Sequence, residues 1–290
     1  MKVAIIGAGK MGRWFTKFFS EEGDSVIVSS RTKEKLLKIR DEFDVEIADN
    51  VNAVKNADRV LICVPIENIE DVVKEIHPHV QPDQVIMDIC SIKEAPVKIM
   101  HKYIKTGTTL GTHPVFGPGV KGIKKQNFIL TPISNKEKVF AENFKGWLEE
   151  RQVNVFIMPP KKHDELMSVV LGLPHFLGLV VCDTLLDLDN YPEMERVAGA
   201  SYKMLLTLAE AVASEKTEFY TSLQMNLPEI ERIEGLFFER SREWLNLVRR
   251  KESSAFANKI KLVKAKLMEV KSDYAKSYED MHRLLDAIKG

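Results

Sequence analysis

His113 lies in the stretch "GTHPVFGPGV", residues 111–120, where two prolines and three glycines leave little room for regular structure. An unperturbed imidazole titrates near pH ~6.5, so at neutral pH it is largely neutral and able to take a proton from a hydroxyl. A hydrogen-bonded loop histidine without chemistry is the plainer reading of the same residue. About twenty residues earlier, "DICSIKEAP" sets Ser91 and Lys93 at a helix start. A serine there either caps the first turn or binds a carboxylate. Further on, "HDELMSVVLGLPHF" carries His163, Asp164 and, inside an apolar helix, His175. His175 reads as a ligand contact or as a satisfied core histidine. His163 and Asp164 read as positioning residues between domains.

A second chemistry is written at the N-terminus. "KVAIIG" is a short β-branched run that passes directly into "GAGKMG" and then an apolar-periodic helix. Gly7, Gly9 and Gly12 match G-x-G-x-x-G, with Ala8, Lys10 and Met11 between them. The first glycine permits a tight turn, the second admits a pyrophosphate to the backbone, and the third packs helix on strand. A merely structural turn is the alternative. The second strand ends in "VIVSSRT", so Ser30 stands where an NAD site places an acid, followed by Arg31 and Thr32. A guanidinium with hydroxyls suits a ribose 2′-phosphate, which predicts NADP, with NAD possible. The same residues would also serve as a solvated helix start. Val64 and Pro65, in "CVPIENI", are expected to run past the cofactor.

These residues need a scaffold. "SVIVSS", "RVLICVP", "QVIMDIC", "TTLGTHP" and "NFILTPI" are short apolar runs separated by helix-like stretches, the pattern of a parallel sheet covered on both faces. The fold expected is α/β: an N-terminal doubly wound Rossmann domain over 1–160, followed by an all-helical C-terminal domain over 161–290. Ligands bind beyond the carboxyl ends of such strands, where the segments bearing Ser91 and His113 converge.

Composition bounds the rest. Lys+Arg and Asp+Glu are equal at 42 in 290 residues, and no basic block marks the first two hundred, against nucleic acid as the main partner. Cys63, Cys90 and Cys182 are far apart without CxxC spacing, so no metal site or disulfide frame is expected, and a reducing, cytoplasmic setting is. The first residues are too short an apolar run for a signal peptide. "LMSVVLGLPHFLGLVVCDTLLDL" is long enough to span a bilayer, but Pro174, His175 and Asp183 favour a buried helix and no membrane. The Lys-rich tail reads as a solvated amphipathic helix.

"DICSIK", then "GTHPVFGP", behind an N-terminal GxGxxG, resembles the prephenate/arogenate dehydrogenase family of tyrosine biosynthesis. "HDELMSVVLGLPHF" is similar to the element that opens that family's helical domain. The likeness covers roughly residues 1–190. It implies oxidation of a ring hydroxyl by hydride transfer to a nicotinamide, with loss of carbon dioxide. It further implies His113 as the base and Ser91 as a substrate contact that orients it. Lys93 would be a substrate or structural contact, and His175 would bind the side-chain end of the substrate. A homodimer through the helical domain is implied too. The family's substrate-binding arginine has no counterpart: with Tyr220 as the aromatic residue that follows it, its position is Ala211. Lys203, or less directly Arg196, would have to supply the cation. Two other readings stand beside this one. One is an NADP-linked dehydrogenase of the 3-hydroxyacid type, although the apolar helix lacks the lysine expected there. The other is a non-catalytic dinucleotide-binding regulator.

Overall fold

The computed structural model describes residues 1–289. Eight strands form one sheet: β1 (Lys2–Ile6), β2 (Ser25–Ser29), β3 (Glu46–Ile47), β4 (Arg59–Ile62), β5 (Val85–Asp88), β6 (Thr108–Pro114), β7 (Asn127–Thr131) and β8 (Asn154–Ile157). Their order is β3-β2-β1-β4-β5-β6-β7-β8. Between them run α1 (Lys10–Glu21), α2 (Lys33–Phe43), α3 (Asn50–Lys55), α4 (Ile69–Ile76), α5 (Glu94–Tyr103) and α6 (Asn135–Glu149). The first six strands thus have the doubly wound order of a Rossmann sheet.

The sheet holds because both its faces are apolar. Successive strand residues point to opposite sides. Val3 and Ile5 of β1 join Phe15, Phe19, Leu61 and Leu110 on one face. Ala4 and Ile6 join Ile27, Ile62, Val73 and Ile86 on the other. Ile5, Ile6, Ile62 and Ile86 are wholly buried, each worth about 1.5–3 kcal/mol.

One feature departs from the all-parallel expectation. β7 pairs antiparallel with β6, while β8 returns parallel to β7. A parallel crossover needs a helix or a comparably long connection. Residues 115–126 form only turns, so β7 runs back beside β6. β3 and β8, which sequence patterning did not show, extend the two edges of the sheet.

The helices continue as α7 (Pro160–Met167), a π-helical segment Ser168–Gly172, α8 (Leu173–Leu186), α9 (Tyr191–Arg196), α10 (Ala200–Ala213), α11 (Thr217–Asn226), α12 (Ile230–Arg249), α13 (Ser253–Val270) and α14 (Ser277–Lys289). Pro174 has no N–H, and its ring crowds the carbonyl four residues back at Val170, within the π segment. The Lys-rich tail, Lys259–Lys276, is α-helical only as far as Val270, where α13 ends, and a single 3-10 turn, Tyr274–Lys276, follows.

The chain divides into two compact units, Met1–Met167 with Met225–Leu227, and Ser168–Gln224 with Pro228–Gly290. In the second, α8 and α10 approach closely at Gly178, where a Cβ would stand 2.8 Å from Val212 Cγ2. The stretch Pro160–Leu186 is long enough to cross a membrane and contains an 18-residue window of mean hydropathy 2.0, yet only 11% of that window is buried. The expectation of a buried helix is not met within this chain, because α8 turns much of its apolar surface away from its neighbours.

Candidate active site

The glycine turn after β1 is built as a cradle. Gly7 has φ +119°, and a Cβ there would meet the Cys63 carbonyl oxygen at 2.6 Å, so a side chain is excluded on two counts. At Gly12 a Cβ would fall 1.8 Å from the Gly7 carbonyl oxygen, which lets α1 lie on the turn. Around Gly9, the N-cap of α1, no atom lies within 4 Å of the Cβ position. No side chain caps this helix, which leaves its first N–H groups and dipole to an anion. Ala8 is buried, Met11 half-buried and Lys10 exposed. Val64 Cγ1 stands 3.1 Å from the Gly7 Cβ position, at the lip of the turn, and Pro65 opens the short helix after β4.

The carboxyl end of β2 carries Ser30, Arg31 and Thr32. Ser30 Oγ accepts the Thr32 N–H at 3.2 Å, and the exposed Arg31 guanidinium donates to Asn68 Oδ1 at 3.0 Å. Thr32 occupies the N-cap of α2 without making a side-chain cap. A constricted glycine turn, an open second glycine and an uncapped helix start fit a dinucleotide.

His113 lies in β6, the strand that "TTLGTHP" predicts, and not in the loop that the surrounding prolines and glycines suggest. The ladder with β5 ends at Asp88↔Gly111, but β7 continues it through His113↔Ile129 to Pro114↔Phe128. The antiparallel return of β7 therefore carries extended backbone past the end of β5, and the turn chemistry begins after Pro114. His113 is 3% exposed. Its Nδ1 is 2.8 Å from His163 Nε2, and His163 Nδ1 is 2.7 Å from Asp164 Oδ1. Burial pushes His113 well below the usual imidazole range, reinforced by His163 and then Lys93. Burial lowers His163 as well, against the opposing effect of its hydrogen bond to the Asp164 carboxylate. His113 is thus held neutral, as a base requires.

Around this pair lies a buried polar network. Lys93 is the largest wholly buried side chain among the described residues, and its ammonium donates to the Asp88 carboxylate and to the Thr112 carbonyl, the latter at 2.6 Å. Thr112 Oγ1 donates to the Asp88 carbonyl at 2.5 Å, and Asp88 Oδ2 accepts the Cys90 N–H at 2.9 Å. Of the two roles open to Lys93, this geometry supports the structural one over substrate binding: with 0% exposure its charge is spent inside the first unit. Ser91, half-buried between β5 and α5, does not cap the helix. Asp164 does so from a distant part of the chain, accepting the Lys93 N–H at 2.7 Å and the Glu94 N–H at 2.9 Å. The Ser91 hydroxyl is thereby released from the capping role.

Sequence reasoning missed Asp88 and the bond between the two histidines. An acid at the end of an apolar run, five residues before a lysine, was the available signal for the first. Nothing local signals the second, since fifty residues separate His113 from His163.

In the second unit, the His175 ring packs against Tyr220 with centroids 4.8 Å apart, and against Phe219 at 6.3 Å. Burial lowers its pKa. The sequence register that chose Tyr220 as the relevant aromatic thus gains a neighbour in space. Ala211, Lys203 and Arg196 are all exposed, and none of the contacts described for His175 is with a cation.

A Rossmann sheet with this glycine cradle, followed by a helical unit, defines a two-domain fold with a nucleotide-binding first domain. Within that class, the chain belongs to the prephenate dehydrogenase family. Residues 15–157 match the family's nucleotide-binding domain, and residues 159–262 its dimerization domain. A probable arogenate/prephenate dehydrogenase from Methanocaldococcus jannaschii is 33% identical over 266 residues, covering 90% of this chain and 60% of that protein. The T-protein of Haemophilus influenzae is 24% identical over 250 residues, covering 82% of this chain and 60% of that protein. The chain thus spans about three fifths of the length of these two relatives. Among solved structures, prephenate dehydrogenase from A. aeolicus, crystallised with hydroxyphenyl propionate and NAD+, has the same fold. Its TM-score is 0.77 at 22% identity, over 93% of this chain and 98% of that one.

Proposed function

We propose that the chain oxidises and decarboxylates prephenate to 4-hydroxyphenylpyruvate, or arogenate to tyrosine, with His113 as the base and NADP as the preferred cofactor. The observation that carries this reading is the setting of His113: a buried imidazole, bonded to His163 at 2.8 Å, at the carboxyl end of the sheet that also bears the glycine cradle. A nicotinamide held at the glycine cradle would supply the hydride acceptor for the ring carbon that bears the hydroxyl. The chain's own residues do the remainder. His113 takes the hydroxyl proton, and expulsion of carbon dioxide from the opposite ring carbon leaves an aromatic product. Ser91, free of the helix cap, contacts the substrate near that hydroxyl. His175, against Tyr220, takes the side-chain end. Lys203 is our candidate for the cation that the family's arginine supplies elsewhere, and as a point charge it would bind a carboxylate less directionally.

Gly7, Ala8, Gly9, Lys10, Met11 and Gly12 would hold the pyrophosphate, with Val64 and Pro65 beside them. Ser30, Arg31 and Thr32, with no acid at that strand end, support NADP over NAD. We assign residues 1–160 to cofactor binding and 161–290 to substrate binding and to a homodimer, in keeping with the dimerization-domain match. The free thiols of Cys63, Cys90 and Cys182 suit a reducing cytoplasm.

Purified protein given prephenate or arogenate should release reduced cofactor and an aromatic product, faster with NADP+ than with NAD+. Absence of turnover with both substrates under both cofactors overturns the reading. Faster turnover with NAD+ overturns only the cofactor preference.

A further inference from the structure

We propose that His163, anchored by Asp164, is a positioning residue that fixes His113 in the tautomer whose Nε2 is bare and ready for the substrate proton. This rests on the reading of His113 as the base. Asp164 Oδ1 accepts the Lys93 N–H and Oδ2 accepts the Glu94 N–H. Two backbone donors aimed at its two oxygens make Asp164 an acceptor, so the bond to His163 requires His163 to donate from Nδ1. A neutral imidazole that donates from Nδ1 has only a lone pair at Nε2. That lone pair faces His113 Nδ1 at 2.8 Å, so His113 donates from Nδ1 and its Nε2 carries no hydrogen. The tautomers are thus assigned from the bonding network.

The groups facing this pair are Asp164, Lys93 and Asp88, all in the first unit. When the hydroxyl O–H breaks and the proton arrives at Nε2, the positive charge on His113 is shared along Nδ1–H toward His163 and the Asp164 carboxylate. Asp164 also ties down the start of α5 at Lys93 and Glu94, two and three residues after Ser91. One carboxylate therefore orients the base through His163 and fixes the backbone that carries Ser91.

The test combines spectroscopy with kinetics. In protein labelled with ¹⁵N at histidine, long-range ¹H–¹⁵N correlations distinguish the two imidazole tautomers, and His113→Asn assigns the signals. The expected wild-type result is His113 protonated at Nδ1. His163→Phe should abolish that preference and lower kcat roughly 10–100-fold, as loss of an orienting partner does, while KM changes by about twofold or less. His163→Gln, whose amide oxygen accepts from His113 Nδ1–H, should recover part of kcat. A wild-type His113 protonated at Nε2 overturns the proposal, as does a His163→Phe enzyme with unchanged kcat. Should His163→Phe fail to fold, the wild-type spectrum and His163→Gln decide. The tautomer is read without substrate, so absence of dehydrogenase turnover would sink the proposed reaction and leave this measurement standing.

Discussion

The two units of this chain dispose of their side chains in opposite ways. The first covers both faces of its sheet and spends its buried polar groups on one another: Lys93 on Asp88, Asp164 on α5, His113 on His163. The second buries little. α12 and α13 have no buried residue, and Phe238, Leu262 and Val270 are well exposed. An apolar surface of that extent on a folded chain marks an interaction face. Closure within one chain belongs to the unit that must hold a reactive group in one geometry. Openness belongs to the unit matched to a dimerization domain.

The contrast is broken hardest at its most enclosed point. His113→Asn should lower kcat by roughly 10²–10⁴ while leaving cofactor affinity similar, and a variant as fast as wild type removes His113 as the base. Asp88→Ala should be next, because it strands the buried Lys93 ammonium. Removing one partner of such a pair costs about 3–5 kcal/mol, and urea unfolding would show it as a lower midpoint. A loss within about 0.5 kcal/mol, the usual range for surface sites, would mean that the pair is not truly enclosed. In the open unit the expected stability change is smaller. Phe238→Glu should alter the stability of a lone chain by about 0.5 kcal/mol or less, yet convert a dimer to a monomer in sedimentation. A dimer that survives this change would place the interface elsewhere.

What was legible in the sequence follows the same division. The first unit announced itself because a buried parallel strand is a continuous β-branched run and a dinucleotide turn needs glycine at fixed spacing. Gly7 and Gly12 could be assigned roles from spacing alone, and both prove sterically obligatory. Contacts made across the fold were not legible. "DICSIK" leaves Ser91 either to cap α5 or to bind a carboxylate, and the cap falls instead to Asp164, which accepts the Glu94 N–H from seventy residues away. The prolines and glycines after His113 suggest a loop while "TTLGTHP" predicts a strand, and it is the antiparallel pairing with β7 that decides for the strand. In the second unit the helices were legible and their partners were not. Apolar periodicity shows that a face must be covered without saying by which chain.

The smallest expected effect separates the units by pH. His113 and His163 are lowered by burial in the first unit, and His175 in the second. A histidine whose folded pKa is depressed binds fewer protons when folded than when unfolded. Its contribution to stability is therefore present above the unfolded value of ~6.5 and is lost as pH falls below it, by up to about 1.4 kcal/mol per pH unit per group. Two such groups lie in the first unit, and His113 is lowered most strongly because it is enclosed, faces a second imidazole and lies near the Lys93 ammonium. Between pH ~7.5 and ~5.5, calorimetry should therefore show the transition of the first unit moving down more than that of the second. The acid limb of kcat/KM should lie below ~6.5, since the base stays neutral where a free imidazole would be protonated. An acid limb at or above that value would show His113 titrating as an exposed histidine, and the closed polar network would then not describe the active protein.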